Sequence, residues 1–182
     1  MNYQSYFDLF VGIVTSSIFV SITTAITTVL LTFLFYRIRD KLLALRSIKS
    51  EIEYNQSAAL ELSERIKEDN QLRSAGEEIV ESLDSFHTSS FENVKNRGVL
   101  ARLSEETKVA ILNHYSHIDR INRQIRQRSS IRAGGRALSN YDQMVIAYNE
   151  FIRDEVKHAE FENLESQIDS ELKYYWPISY IL

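Results

Sequence analysis

Residues 9–36 read LFVGIVTSSIFVSITTAITTVLLTFLFY, and this stretch decides the fold. Its 28 positions contain no Asp, Glu, Lys, Arg or His. As a helix it would be about 42 Å long, against about 30 Å for the hydrocarbon core of a bilayer. Core helices of soluble proteins seldom run this far without a charge, so the stretch reads as a transmembrane helix. A cleaved signal peptide is the main rival and fits poorly. Asp8, not Lys or Arg, precedes the run, and the run exceeds an ordinary signal core. Tyr3, Tyr6 and Phe7 stand at one end and Phe33, Phe35 and Tyr36 at the other, as in the aromatic belts of membrane interfaces. Arg37, Arg39, Lys41, Arg46 and Lys49 follow, opposed only by Asp40. The excess of positive charge predicts a single pass of the cell's inner membrane. Residues 1–36 would be tail and membrane helix, and residues 37–182 a cytoplasmic helical domain.

Composition narrows the rest. The chain has 182 residues, 44% hydrophobic and 25% charged, with a net charge of −4. Five Gly and one Pro argue against a loop-rich or β-rich fold. The absence of Cys excludes a disulfide framework and cysteine-based zinc or redox sites. No phosphate-binding loop, dinucleotide fingerprint or nucleophile elbow is present. The expectation is a protein that is not an enzyme and carries no cofactor. His114 and His117 stand three apart and His158 and Glu162 four apart; these spacings suit packing and a solvated pair better than metal ligation.

Within the membrane run, Ser17, Ser21, Thr24, Thr28 and Thr32 fall inside about 80° of helical arc. Ile18, Phe19, Ile22, Ile26, Val29, Leu30 and Phe33 occupy the other side. The stripe has two readings. It can be a helix-packing face whose hydroxyls bond back to their own carbonyls. It can also be the lining of a pore formed by a ring of copies, without strong ion selectivity because hydroxyls are neutral. Either reading predicts a homo-oligomer, since the chain has no second membrane helix to cover the stripe.

Apolar periodicity continues beyond the membrane through Ile38, Leu42, Leu45, Ile48, Ile52, Asn55, Ala59, Leu62 and Ile66. One helix from about residue 7 to 69 would measure roughly 95 Å. Asn55 lies on the apolar seam, where a polar residue can set oligomer register; it can equally sit at a solvated edge. The pattern predicts an all-α fold, an antiparallel up-and-down bundle or coiled coil of four helices. A second helix is expected from a Ser74–Glu77 capping box through Ile79, Val80, Leu83, Phe86, Phe91 and Val94 to Gly98. A third is expected from Ser104 with Val109, Leu112, Tyr115, Ile118, Asn122 and Ile125 buried, breaking at Ser129–Gly135. A fourth is expected from Ser139 to about Tyr175, one unbroken rod. Its tail, Tyr174 to Leu182, suits the membrane interface or packing on the stalk or a neighbouring subunit.

Arg120, Arg123, Arg126, Arg128, Arg132 and Arg136 form the most function-like feature of the soluble part. Arginine forks suit phosphate oxygens, so the cluster is a candidate site for an anion such as a single-stranded oligonucleotide. Internal pairing with the acidic first-to-second turn and fourth helix competes with that reading, as does membrane lipid. Few aromatics are interleaved, which lends little support to readout by base stacking.

The segment GVLARLSEETKVAILNHYSHIDRIN, residues 98–122, resembles a piece of small bacterial single-pass membrane effectors of anti-phage defence. The overall layout is similar to that of the membrane effectors of the Hailong system. That resemblance implies an effector that damages the host membrane and is held inactive by DNA oligomers made by a partner. The alternative is a membrane-tethered helical scaffold or adaptor that recruits a protein partner.

Overall fold

The computed structural model describes residues 3–77, 82–134, 140–159 and 161–175. They form α1 (Tyr3–Ser74), α2 (Ser89–Asn96), a short 3-10 turn (Leu100–Arg102), α3 (Glu105–Gly134), α4 (Tyr141–His158) and α5 (Phe161–Tyr174). No strand occurs among the described residues, so the protein is all-helical as the periodicity predicts. The chain divides into two compact units, Met1–Asp40 and Lys41–Leu182.

The first unit is the apolar part of α1. Its most apolar 18-residue window has a mean hydropathy of 2.2 and is not buried by the other described residues. Phe19, Val29 and Phe33 stand in the open. This helix has the length and apolarity to cross a membrane.

In the second unit the seam of α1 turns inward. Leu45, Ile48, Ile52 and Ile66 are fully buried, against Ile111, Ile118 and Ile121 of α3 and Ile152 and Ile168 of α4 and α5. Side-chain pairings give the direction of each element. Along α1, Glu51 meets Tyr115 and Asp69 meets Arg128, so α1 and α3 run the same way. Lys49 meets Asp169 and Asn70 meets Glu150, so the α4–α5 arm runs back.

This order corrects the expected second helix. Residues 83–88 are not helical, and only Ser89–Asn96 form α2. The sequence Ser85-Phe86-His87-Thr88-Ser89-Ser90 is poor in helix formers, because short hydroxyl side chains compete for backbone hydrogen bonds. The neighbours supply those bonds. Asn122 accepts from the Phe86 N–H at 2.7 Å and donates to the Phe86 carbonyl at 3.0 Å. Asn55 accepts from the His87 N–H at 2.9 Å and donates to its carbonyl at 2.8 Å. The segment is thus a strap held by one asparagine on each flanking helix. Glu78, Ile79 and Val80 lie outside the described residues.

Two glycines end helices, Gly98 as expected. Gly76 (φ 79) and Gly98 (φ 66) are left-handed. Glu77 N–H bonds back to the Leu72 carbonyl and Val99 N–H to that of Val94, the Schellman pattern in which only glycine is free of strain. Ser74 ends α1 rather than capping a second helix; its hydroxyl donates to the Asn70 carbonyl. Ser104 caps α3, its Oγ accepting from the Thr107 N–H at 3.3 Å.

Three further expectations change. The third helix does not break at Ser129; α3 reaches Gly134, with Ser129 and Ser130 donating to the Ile125 and Gln127 carbonyls. Val109 and Leu112 are exposed and Ile111 and Ile121 enter the core instead, while Tyr115, Ile118, Asn122 and Ile125 are buried as expected. The fourth helix is split after His158. The apolar phase explains the split: Val145, Ile152 and Ala159 continued at helical spacing would bring Asn163 and Ser166 inward. Restarting at Phe161 brings Phe161, Leu164 and Ile168 inward instead, and all three are buried.

Candidate anion interface and membrane helix

The hydroxyl stripe is built into α1 by its own backbone. Ser21 Oγ donates to the Ser17 carbonyl at 2.9 Å, Thr24 Oγ1 to Val20 at 2.8 Å, and Thr28 Oγ1 to Thr24 at 2.8 Å. Thr27 does the same to Thr23 at 2.8 Å. Each hydroxyl keeps acceptor capacity after its proton is committed. Ser17 and Thr32 are exposed on the same helix.

The arginine cluster is not a single patch. Arg128 is among the largest fully buried side chains. Its Nη2 donates to Asp69 Oδ2 at 2.8 Å and its Nε to Asn149 Oδ1 at 2.7 Å. Asp69 also receives Asn149 Nδ2 at 2.8 Å and Arg73 Nε at 3.0 Å, and Arg73 reaches Asp142 at 2.8 Å. Burial alone would raise the pKa of Asp69, but the hydrogen bonds from Arg73, Asn149 and Arg128 outweigh it and hold the carboxyl below its ordinary value. Arg128 therefore belongs to an interior network joining α1, α3 and α4.

Arg120, Arg123 and Arg126 remain exposed on α3, spread over about 120° of its outer face. Arg120 lies 3.5 Å from Glu155 and Arg123 2.7 Å from Asp119. Arg126 shares a surface cleft with Lys95, Asn122 and Asp119. Arg132 is in the last turns of α3, while Arg136, Gly135 and Ser139 lie outside the described residues, as does the tail from Trp176. Ser129 and Ser130, where a break was expected, lie within helical α3.

Asn55, expected on the oligomer seam, is fully buried, and both ends of its amide serve the strap of its own chain. His114 is buried with Nδ1 2.7 Å from the Ala159 carbonyl, and His117 Nδ1 is 2.6 Å from Glu155. Among the described residues, no three His, Cys, Asp or Glu side chains converge as metal ligands.

Three arrangements were not read from the sequence. Glu51 caps α2 from a different helix, accepting from Ser90 N–H at 2.7 Å and from the Tyr115 hydroxyl at 2.6 Å. Burial, reinforced by that carboxylate, pushes the Tyr115 hydroxyl pKa well above its usual range. Glu171 binds Lys41, Ser104 and Thr107 together. Asn149 joins the Arg128 network, and its place between Val145 and Ile152 on the apolar phase was the available signal.

Comparison with protein-family models, curated proteins and solved structures finds no match to this chain.

Proposed function

We propose that the protein is a homo-oligomeric membrane effector whose α1 helices meet through the hydroxyl face of Ser17, Ser21, Thr24, Thr28 and Thr32. The observation that carries this reading is the uncharged 28-residue run with a polar stripe that no other described residue covers. Copies of the chain are the simplest cover, and a ring of such faces makes a pore-like path. The cytoplasmic unit then sets the arrangement, and an anionic ligand, a DNA oligomer in the defence systems the sequence resembles, biases closed against open states by binding one better. Arg120, Arg123 and Arg126 are the groups exposed to meet it. Arg128 instead holds the domain together.

The test is dye release from liposomes carrying the full chain. Leakage is expected from the unmodified protein and not from the Ser21→Leu, Thr24→Leu, Thr28→Leu triple variant at equal insertion. Added single-stranded oligonucleotide should suppress leakage in a salt-sensitive way, and replacing Arg120, Arg123 and Arg126 by Glu should abolish the suppression. Leakage unchanged by the leucines rejects the pore.

The back-bonded hydroxyls favour a second reading, because a stripe whose protons are already committed can pack dry against another helix. In it the protein is a membrane-tethered scaffold that recruits a protein partner and releases no dye.

A further inference from the structure

His117 of α3 and His158, the last residue of α4, line one cleft of about 640 Å³. Their ring centres stand 6.4 Å apart, with the planes 32° from parallel. Both reach solvent: His158 is exposed, and the His117 side chain is 24% exposed.

Glu155 decides which nitrogen His117 offers. Its Oε2 lies 2.6 Å from His117 Nδ1, and a carboxylate only accepts, so Nδ1 carries the proton. Arg120 stands 3.5 Å from the other oxygen, Oε1, and braces the carboxylate. In the neutral ring Nε2 is then the nitrogen with the lone pair. It has no partner among the described residues and is not one of the buried polar atoms left without one, so it is open to solvent. A carboxylate behind an imidazole is the arrangement that fixes the tautomer and orientation of a metal-ligating histidine. Two imidazoles bound to one zinc ion at about 2.1 Å, in tetrahedral geometry, hold their ring centres roughly 5 Å apart. The difference from the observed separation is about 1 Å, which a rotation of the exposed His158 ring closes. His114, on the same cleft, is excluded as a ligand. Its Nδ1 is held by the Ala159 carbonyl at 2.7 Å and its Nε2 is buried.

We propose that His117 Nε2 and the His158 ring hold a divalent transition-metal ion of the zinc class, with Glu155 as the positioning residue. No third His, Cys, Asp or Glu converges with them among the described residues, so water takes the other places and the site is exchangeable. Imidazole nitrogen suits such ions, whereas Mg²⁺ takes oxygen ligands. The ligands come from α3 and the end of α4, so the ion ties the α4–α5 joint to α3. The site is independent of the membrane reading.

The test is calorimetric titration of the full chain in detergent at pH 7.5 with zinc chloride, with magnesium chloride as the oxygen-seeking control. Saturable binding of one zinc per chain is expected, with no heat from magnesium and weaker zinc binding at pH 5.5, where protons compete for the rings. His158→Ala, at an exposed position, should weaken zinc binding by more than about 10-fold, and Glu155→Gln by about 10-fold. His87→Ala should bind as the unmodified protein does. In ¹⁵N spectra zinc should shift His117 Nε2 and leave Nδ1 protonated, a change that a merely structural histidine would not show. No saturable zinc binding, half an ion per chain, full affinity in His158→Ala or Glu155→Gln, or an unmoved His117 Nε2 would each overturn the proposal.

Discussion

Glu171 receives Lys41 Nζ at 2.5 Å, Ser104 Oγ at 2.5 Å and Thr107 Oγ1 at 2.7 Å. Burial on its own would raise its pKa; those hydrogen bonds outweigh it and bring the carboxyl down to about 2. A carboxyl held lower in the folded than in the unfolded state stabilises the fold above its unfolded value, here 4.5. That contribution is lost as pH falls from there toward 2. Asp69, also held down, adds to the slope in the same direction. The urea midpoint of the second unit, followed by circular dichroism, should therefore drop between pH 4.5 and 2. Glu171→Gln should start lower at neutral pH and drop less, keeping only the share of Asp69. Parallel curves for the two proteins would remove Glu171 from this role. The interior arginine obeys the same logic. Arg128 is accommodated in the core with Asp69 and Asn149 as partners, and removing Asp69 takes one shared carboxylate from two buried arginines, Arg73 and Arg128.

Among the elements, the strap is the one that breaks the helical pattern. Residues 83–88 carry apolar side chains inward at Leu83 and Phe86 while their backbone has no helix or sheet to serve it. Asn55 and Asn122 act as two short pieces of β-ladder. Asn122→Leu strands a buried N–H and a buried carbonyl of Phe86, at about 1–3 kcal/mol for each group. The expected loss is roughly 2–4 kcal/mol in chemical denaturation of the full chain. Asn122→Asp keeps the acceptor and should lose about half of that; a change below about 0.5 kcal/mol in Asn122→Leu would mean that the strap is held otherwise. The joint between α4 and α5 follows from apolar phase, and α2 stands on Glu51, a cap supplied from a different helix. Both asparagines lie at apolar positions of otherwise regular helices, so their positions were legible from periodicity. Their partners were not, because the strap reaches them only through the fold.

For the whole molecule, the exposed apolar surface of α1 and its hydroxyl stripe have no cover among the described residues. The detergent-solubilised particle should have a mass of several chains by light scattering. The Ser21→Leu, Thr24→Leu, Thr28→Leu variant should shift that mass toward the single chain if the stripe is the contact. A monomer in the unmodified protein would set aside both the pore and the packed stripe.

The sequence by itself determined the helical class, the apolar run of residues 9–36, the glycine stops at Gly76 and Gly98 and most of the buried seam. Each of these follows from local chemistry: charge exclusion, the 3.6-residue period, and a left-handed residue that only glycine adopts freely. Tertiary structure alone decided that Arg128 goes inside while Arg120, Arg123 and Arg126 stay out. It also turned the expected second helix into a strap. Those outcomes depend on which groups from distant parts of the chain satisfy a buried charge or a backbone amide, and a linear pattern does not carry that pairing.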